Sequence, residues 1–173
     1  MNRGETMSAH PPFTISRLLK APRALVWEVY SQPEHLQHWL GPKGSTVTHS
    51  ELDFRVGGSY HYAMTIEGGM ELWGKWLFRE LHAPEKMVLV QCFSDPQGGV
   101  TRNPWAPTWP LYTHSTTTLT EQDGGTLMTL VWEPYEATEE ESALFAASHD
   151  SMNQGWSGNI DVLDDYLALL QTV

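Results

Sequence analysis

The sequence predicts an α+β domain in which a strongly curved antiparallel sheet wraps one long C-terminal helix. Three observations carry this prediction. Glycine doublets at Gly57-Gly58, Gly68-Gly69, Gly98-Gly99 and Gly124-Gly125 separate strand-like runs, as hairpin turns that need positive φ do. The runs between them alternate with the period of two that marks half-buried strands. Residues 149–170 instead carry Met152, Trp156, Ile160, Leu163, Leu167 and Leu170 at steps of three or four, the apolar stripe of a helix. Burial of each such side chain is worth roughly 1.5–3 kcal/mol. A lone helix of this length is marginal in water, so the stripe must pack, and the sheet is the only surface large enough to receive it.

The elements follow in order. Phe13 to Lys20 reads as a strand. Pro22 suits the first turn of a helix bearing Leu25, Val26, Trp27, Val29 and Tyr30, and Pro33 opens a second short helix through Trp39, stopped by Gly41-Pro42. Residues 45–55 form a strand that enters the segment DFRVGGSYHYAM (53–64). Here Tyr60, Tyr62, Met64 and Ile66 alternate with small or polar residues, so the glycines make a turn between strands. A phosphate loop would open a helix. Residues 71–81 set Trp76 and Phe78 on one face and Lys75 and Arg79 on the other. MVLVQCF (87–93) is apolar on both faces, as a central strand is. Residues 115–120 and 126–132 flank the last doublet as a second long hairpin. Residues 94–110 break the pattern, since Pro104, Pro107 and Pro110 follow closely on Asp95-Pro96 and Gly98-Gly99, and regular structure is not expected there. Thr138 followed by Glu139, Glu140 and Glu141 is a helix start. The sum is about six to seven strands, with two short helices after the first.

Composition excludes several functions. The 173 residues are 40% hydrophobic with a formal net charge of −11. Nucleic acid and anionic membrane surfaces are therefore not expected as partners, because both are held by clustered Lys and Arg. Cys92 is the single cysteine. It cannot form an internal disulfide and sits in an apolar run, so it reads as a buried small residue in a cytoplasmic protein. Neither a signal peptide nor a run long enough to span a bilayer is seen. Residues 1–11 are expected to be a disordered leader, with Met7 an alternative start to Met1, and residues 12–173 a single domain.

The segments APRALVWEVYSQPEHLQHWLGP, DFRVGGSYHYAM, WGKWLFRELHAPEKMVLV, the GGT of Gly124 to Thr126, and MNQGWSGNIDVLDDYL occur in an order that resembles one family. It is the SRPBCC or START-like superfamily, in the branch named for the C-terminal domain of the activator of heat shock protein 90 ATPase. The likeness runs from about Thr14 to Leu170, and the DxRxGG turn and the GW of the last helix are its more specific marks. Val56 stands where the family often has Pro, and the Trp- and Pro-rich loop at 94–110 is a second departure. The resemblance implies a helix-grip (START-like, Bet v 1-like) fold with a cavity between sheet and long helix. It implies a domain that binds apolar or amphipathic small molecules, and no cofactor is expected. Some members catalyse cyclisation or hydrolysis. Chaperone activation is not carried over, because the namesake needs a second domain for that contact.

The candidate site comes from strand parity and the helix stripe. Trp39, Tyr60, Tyr62, Met64, Trp76, Phe78, Met128 and Trp132 are assigned to the binding side of the sheet and first helices, and Met152, Trp156, Ile160 and Leu163 face them from the last helix. The bland reading of any one of them is core packing. Gly155 and Gly158 inside the helix each cost about 1 kcal/mol relative to Ala, which signals close backbone approach or space left open. Trp39, Trp105 and Trp109 are placed at the mouth; Trp105 and Trp109 suit a homodimer contact nearly as well. For a cyclase- or hydrolase-like enzyme the available acid–base groups are Glu28, His38 and His114, each of which also reads as an ordinary surface group. A chaperone-linked or other protein-interaction module is a third reading, resting on Trp105 and Trp109. Binding is expected over catalysis. No metal is expected, because His35 and His38 lack a third ligand. GWSG (155–158) lacks the spacing and the strand-to-helix elbow of a GxSxG nucleophile.

Overall fold

The computed structural model describes residues 10–172. Its elements are β1 (Phe13–Leu19), α1 (Arg23–Ser31), α2 (Pro33–Trp39), β2 (Thr46–Leu52), β3 (Ser59–Thr65), β4 (Glu71–His82), β5 (Lys86–Ser94), β6 (Val100–Thr101), β7 (Tyr112–Gln122), β8 (Gly125–Tyr135), α3 (Glu139–Ala147) and α4 (His149–Leu170). The strands form one antiparallel sheet in the order β1-β8-β7-β5-β4-β3-β2, with β6 paired to the end of β5. The α+β helix-grip architecture expected from the sequence is the one observed. Most of the leader segment lies outside the described residues. Among those described, no helix is long and apolar enough to cross a membrane.

The DFRVGGSYHYAM segment is a turn docked onto a neighbour. Gly57 adopts φ +84°, and its N–H donates to Phe78 C=O at 3.0 Å, while the Phe78 N–H returns a bond to Gly58 C=O at 3.1 Å. A Cβ on Gly58 would lie 2.2 Å from the Asp53 carbonyl oxygen. The doublet therefore serves both a backbone angle and a close approach between chain segments. Arg55 braces the turn through Nε to the Asp53 carboxylate at 2.9 Å.

The 94–110 segment holds more order than its prolines suggested. Asp95 Oδ1 accepts from the Gln97 and Gly99 N–H groups, both at 2.8 Å, and closes a hairpin that pairs Val100 and Thr101 with Ser94 and Phe93. Pro96 falls within the turn of this hairpin and the remaining prolines follow from Pro104 onward, so none interrupts β6. Beyond it the chain is irregular yet tethered. Asn103 Oδ1 accepts from the N–H groups of Trp105 and Ala106, and Arg102 Nη1 reaches both Trp109 C=O and the Glu141 carboxylate of α3.

Helix α4 packs unevenly. Its C-terminal half places Ile160, Leu163 and Leu167 in the main core with Val26, Val29 and Tyr30 of α1, Leu36 and Trp39 of α2, and Tyr60, Trp76, Phe78 and Met128 of the sheet. Its N-terminal half contributes Met152 to a smaller cluster with Phe13 and Phe145, flanked by Trp109, Trp132 and Trp156. Arg17 of β1 holds the polar flank of α4 through Asp161 at 2.7 Å and Asp164 at 3.2 Å. Between the two clusters the helix stands off the sheet.

Candidate functional site

A pocket of about 670 Å³ occupies that gap. Tyr62, Met64, Trp76 and Gly74 of β3 and β4 line it together with Gln91 and Phe93 of β5, Thr113 of β7 and Trp132 of β8. Ser148, Ser151, Met152, Gly155, Trp156 and Asn159 line it from the N-terminal end and first half of α4. Leu40–Pro42 and the tethered loop from Asn103 to Leu111 complete the rim. Strand parity explains the sheet side. Tyr62 and Met64 pair with Gly74 and Leu72, so they share one face, while His61 and Ala63 occupy the other.

Glycine shapes two of the walls. A Cβ on Gly74 would lie 2.4 Å from the Tyr62 hydroxyl and 2.5 Å from Cζ, so the Tyr62 ring uses the place a side chain would fill. Its ring stacks on Tyr60 at 5.2 Å and meets Trp76 edge-on at 6.0 Å. At Gly155 and Gly158 a Cβ would meet nothing within 4 Å. Of the two explanations for these helix glycines, close approach is excluded and open space remains.

Among the described residues that line the pocket there is no carboxylate, imidazole, amine or guanidinium. Two lining groups could ionise, and both resist it. Burial pushes the Tyr62 phenol well above its ordinary value, reinforced by neighbouring Tyr60, and burial likewise raises the Cys92 thiol, with Lys75 opposing. Two buried polar atoms of lining residues, Trp132 Nε1 and Asn159 Oδ1, have no hydrogen-bond partner in the protein. Each unmade bond of this kind costs about 1–3 kcal/mol.

The structure distributes the sequence-derived candidates as follows. Tyr62, Met64, Trp76, Trp105, Trp109, Trp132, Met152 and Trp156 line the pocket. Trp39 and Met128 border a hollow of about 30 Å³ deeper under α4. Tyr60, Phe78, Ile160 and Leu163 pack within the main core and line neither space. Trp39, expected at the mouth, is instead 2% exposed; its Nε1 donates to Val29 C=O at 2.9 Å and its ring packs on Tyr30. A buried carbonyl at the end of α1 satisfies the indole, which draws the side chain inward. Trp105 is 57% exposed at the rim, whereas Trp109 turns inward onto Phe145 at 5.3 Å and Trp132 at 6.1 Å.

None of the three acid–base candidates lines the pocket. The Glu28 carboxylate is 47% exposed and lies 3.5 Å from His35. His38 is exposed and stacks on Tyr166. His114 sits beside Glu133 at 3.7 Å and stacks on Tyr135, and its position next to Thr113 in β7 turns it to the opposite face. Sequence reasoning missed Gln91, Phe93, Asn103, Thr113, Ser148, Ser151 and Asn159. The one available signal was Gln91, a polar residue inside the apolar run of β5.

The chain is similar to known proteins along nearly its whole length. The family model described as Activator of Hsp90 ATPase homolog 1-like protein matches residues 20–168. A crystal structure of a protein from Nitrosomonas europaea superposes with a TM-score of 0.75 at 19% identity, covering 96% of this chain and 100% of the other. A solution structure of an Arthrobacter aurescens protein gives 0.75 at 27% identity, covering 92% and 87%. An AHSA1 protein from Silicibacter pomeroyi gives 0.68 at 18% identity, covering 91% and 98%. No curated protein matches the chain. The long clasping helix, the docked DxRxGG turn and the family match over residues 20–168 agree, and the chain belongs to the family of Activator of Hsp90 ATPase homolog 1-like proteins.

Proposed function

We propose that this domain binds a neutral apolar or amphipathic small molecule between α4 and the sheet. The observation that supports this reading best is a pocket with aromatic and aliphatic walls and no ionised lining side chain. Its volume falls within the roughly 300–1,000 Å³ typical of small-molecule sites. Taking an ionised ligand out of water costs several kcal/mol unless a counter-charge meets it, so such a pocket selects uncharged guests. The net charge of −11 opposes anions further.

Binding is favoured over catalysis because Glu28, His38 and His114 stand outside the pocket and burial disfavours ionisation of its own phenol and thiol. A protein-docking role would rest on Trp105 and Trp109. Trp109 is turned into the smaller cluster, so Trp105 alone is exposed.

Titration with the neutral dye N-phenyl-1-naphthylamine, read by its emission and by quenching of intrinsic tryptophan, tests the proposal. Saturable 1:1 binding is expected, weakened by Trp156→Ala. The anionic dye 8-anilinonaphthalene-1-sulfonate is expected to bind at least about tenfold more weakly, which corresponds to about 1.4 kcal/mol. Failure of the neutral dye to saturate, or equal binding of both dyes, overturns the reading.

A further inference from the structure

On the sheet face opposite the pocket, His49 and Glu51 of β2 and His61 of β3 bring one ligand atom each to within 4.8 Å of one another. We infer that this trio is a binding site for a divalent transition-metal ion of the zinc class.

A backbone irregularity assembles it. In regular antiparallel register Val47 opposite Met64 would put His49 opposite Tyr62, on the pocket face. The pairing shifts between Val47 and His49, so that His49 lies opposite Ala63 and Glu51 opposite His61. The bulge therefore turns His49 to the outer face beside His61, the re-aiming of a side chain for which bulges are used.

The protonation pattern of His61 suits a ligand. Its Nε2 lies 3.1 Å from both Ser94 Oγ and Asp95 C=O. The Ser94 hydroxyl donates its own proton to Asp95 C=O at 2.7 Å. Both neighbours of Nε2 are thus acceptors, Nε2 carries the hydrogen, and in the neutral ring the lone pair resides on Nδ1. A backbone carbonyl fixing the second nitrogen in this way is the usual support of a metal-bound histidine. His49 Nε2 is buried without a hydrogen-bond partner, 3.7 Å from Glu51 Oε2. Trp73 packs against both rings, at 5.1 Å from each, and limits their rotation. Lys75, the neighbouring cation opposite His61, has its amine on Gly98 C=O at 3.3 Å. A tetrahedral ion with bonds of about 2.0–2.1 Å draws its ligands to about 3.3 Å apart. The exposed Glu51 side chain can supply much of that movement. Two imidazoles and one carboxylate fit zinc, copper or nickel better than calcium or magnesium. The ion would pin the edge strand β2 to β3 and leave a coordination position to solvent.

Calorimetric titration of the tag-free chain with zinc chloride tests the site. One ion per chain is expected, with affinity falling at least about tenfold in His49→Ala and falling also in Glu51→Gln. Both positions are open enough to solvent for the fold to survive. His35→Ala, in the other histidine pair, is expected to leave binding unchanged. Copper(II) should quench tryptophan emission, and Trp73→Phe should remove most of that quenching. Absence of saturable binding up to about 1 mM zinc, or unchanged binding in the His49→Ala, Glu51→Gln double variant, overturns the inference.

Discussion

Replacing Gly155 and Gly158 by alanine is expected to stabilise the protein, which is unusual for substitutions near a candidate binding pocket. Both lie inside the 22-residue helix α4. Glycine in a helix interior is about 0.8–1.0 kcal/mol less favourable than alanine. Neither new Cβ would meet another atom within 4 Å, so no packing penalty offsets the gain, and the pair is worth up to about 2 kcal/mol. For a chain of this size about 2–4 °C in Tm accompanies each kcal/mol, so the double variant should melt about 4–8 °C higher in a reversible circular-dichroism scan. The positions then separate by function. Gly155 lines the pocket and Gly158 does not. Gly155→Leu should fill part of the space and weaken binding of N-phenyl-1-naphthylamine, while Gly158→Leu should leave it near the parent value. A lower Tm in either alanine variant would refute the account of open space above these glycines. Unchanged dye binding in Gly155→Leu would show that the dye sits elsewhere.

Three further outcomes follow from particular contacts. Gly74→Ala drives a methyl group into the Tyr62 ring, and overpacking of this kind should cost about 1–3 kcal/mol in urea unfolding and disturb dye binding. Thr126→Val removes the buried hydroxyl that donates to Ala21 C=O at 2.8 Å; leaving that carbonyl unpaired should cost about 1–3 kcal/mol in the same assay. The Glu141 carboxyl is held below its ordinary value of 4.5, first by the Thr138 backbone N–H and then by Arg102. A depressed carboxylate contributes stability that is present above the unfolded value and is lost as pH falls through the folded one. Glu141→Gln keeps the capping bond to Thr138 and loses the charge, so its Tm deficit should be full at pH 7 and shrink below about pH 4.5. A deficit independent of pH would contradict the assignment.

The sequence by itself determined the architecture, because the signals involved are local and repeated. The period-two runs and glycine doublets specify hairpins, and the α4 stripe from Met152 to Leu170 specifies a helix with one buried face. The helix start at Thr138 was legible for the same reason, and the structure adds that Glu141 closes a reciprocal capping box there. Tertiary structure alone decided where the stripe plugs the sheet and where it stands away. Ile160 and Leu163 belong to the same stripe as Met152 and Trp156, yet only the latter pair borders the pocket, because Arg17, α1 and α2 draw the C-terminal half down. The face of His49 was equally hidden. Parity read along β2 carries no mark of a bulge, since the extra residue is defined only by what lies across the ladder in β3. Spacing along one strand encodes which side chains alternate, whereas a pocket or a metal-ligand set depends on the registry between strands and on how far a helix settles, which are properties of contacts distant in sequence.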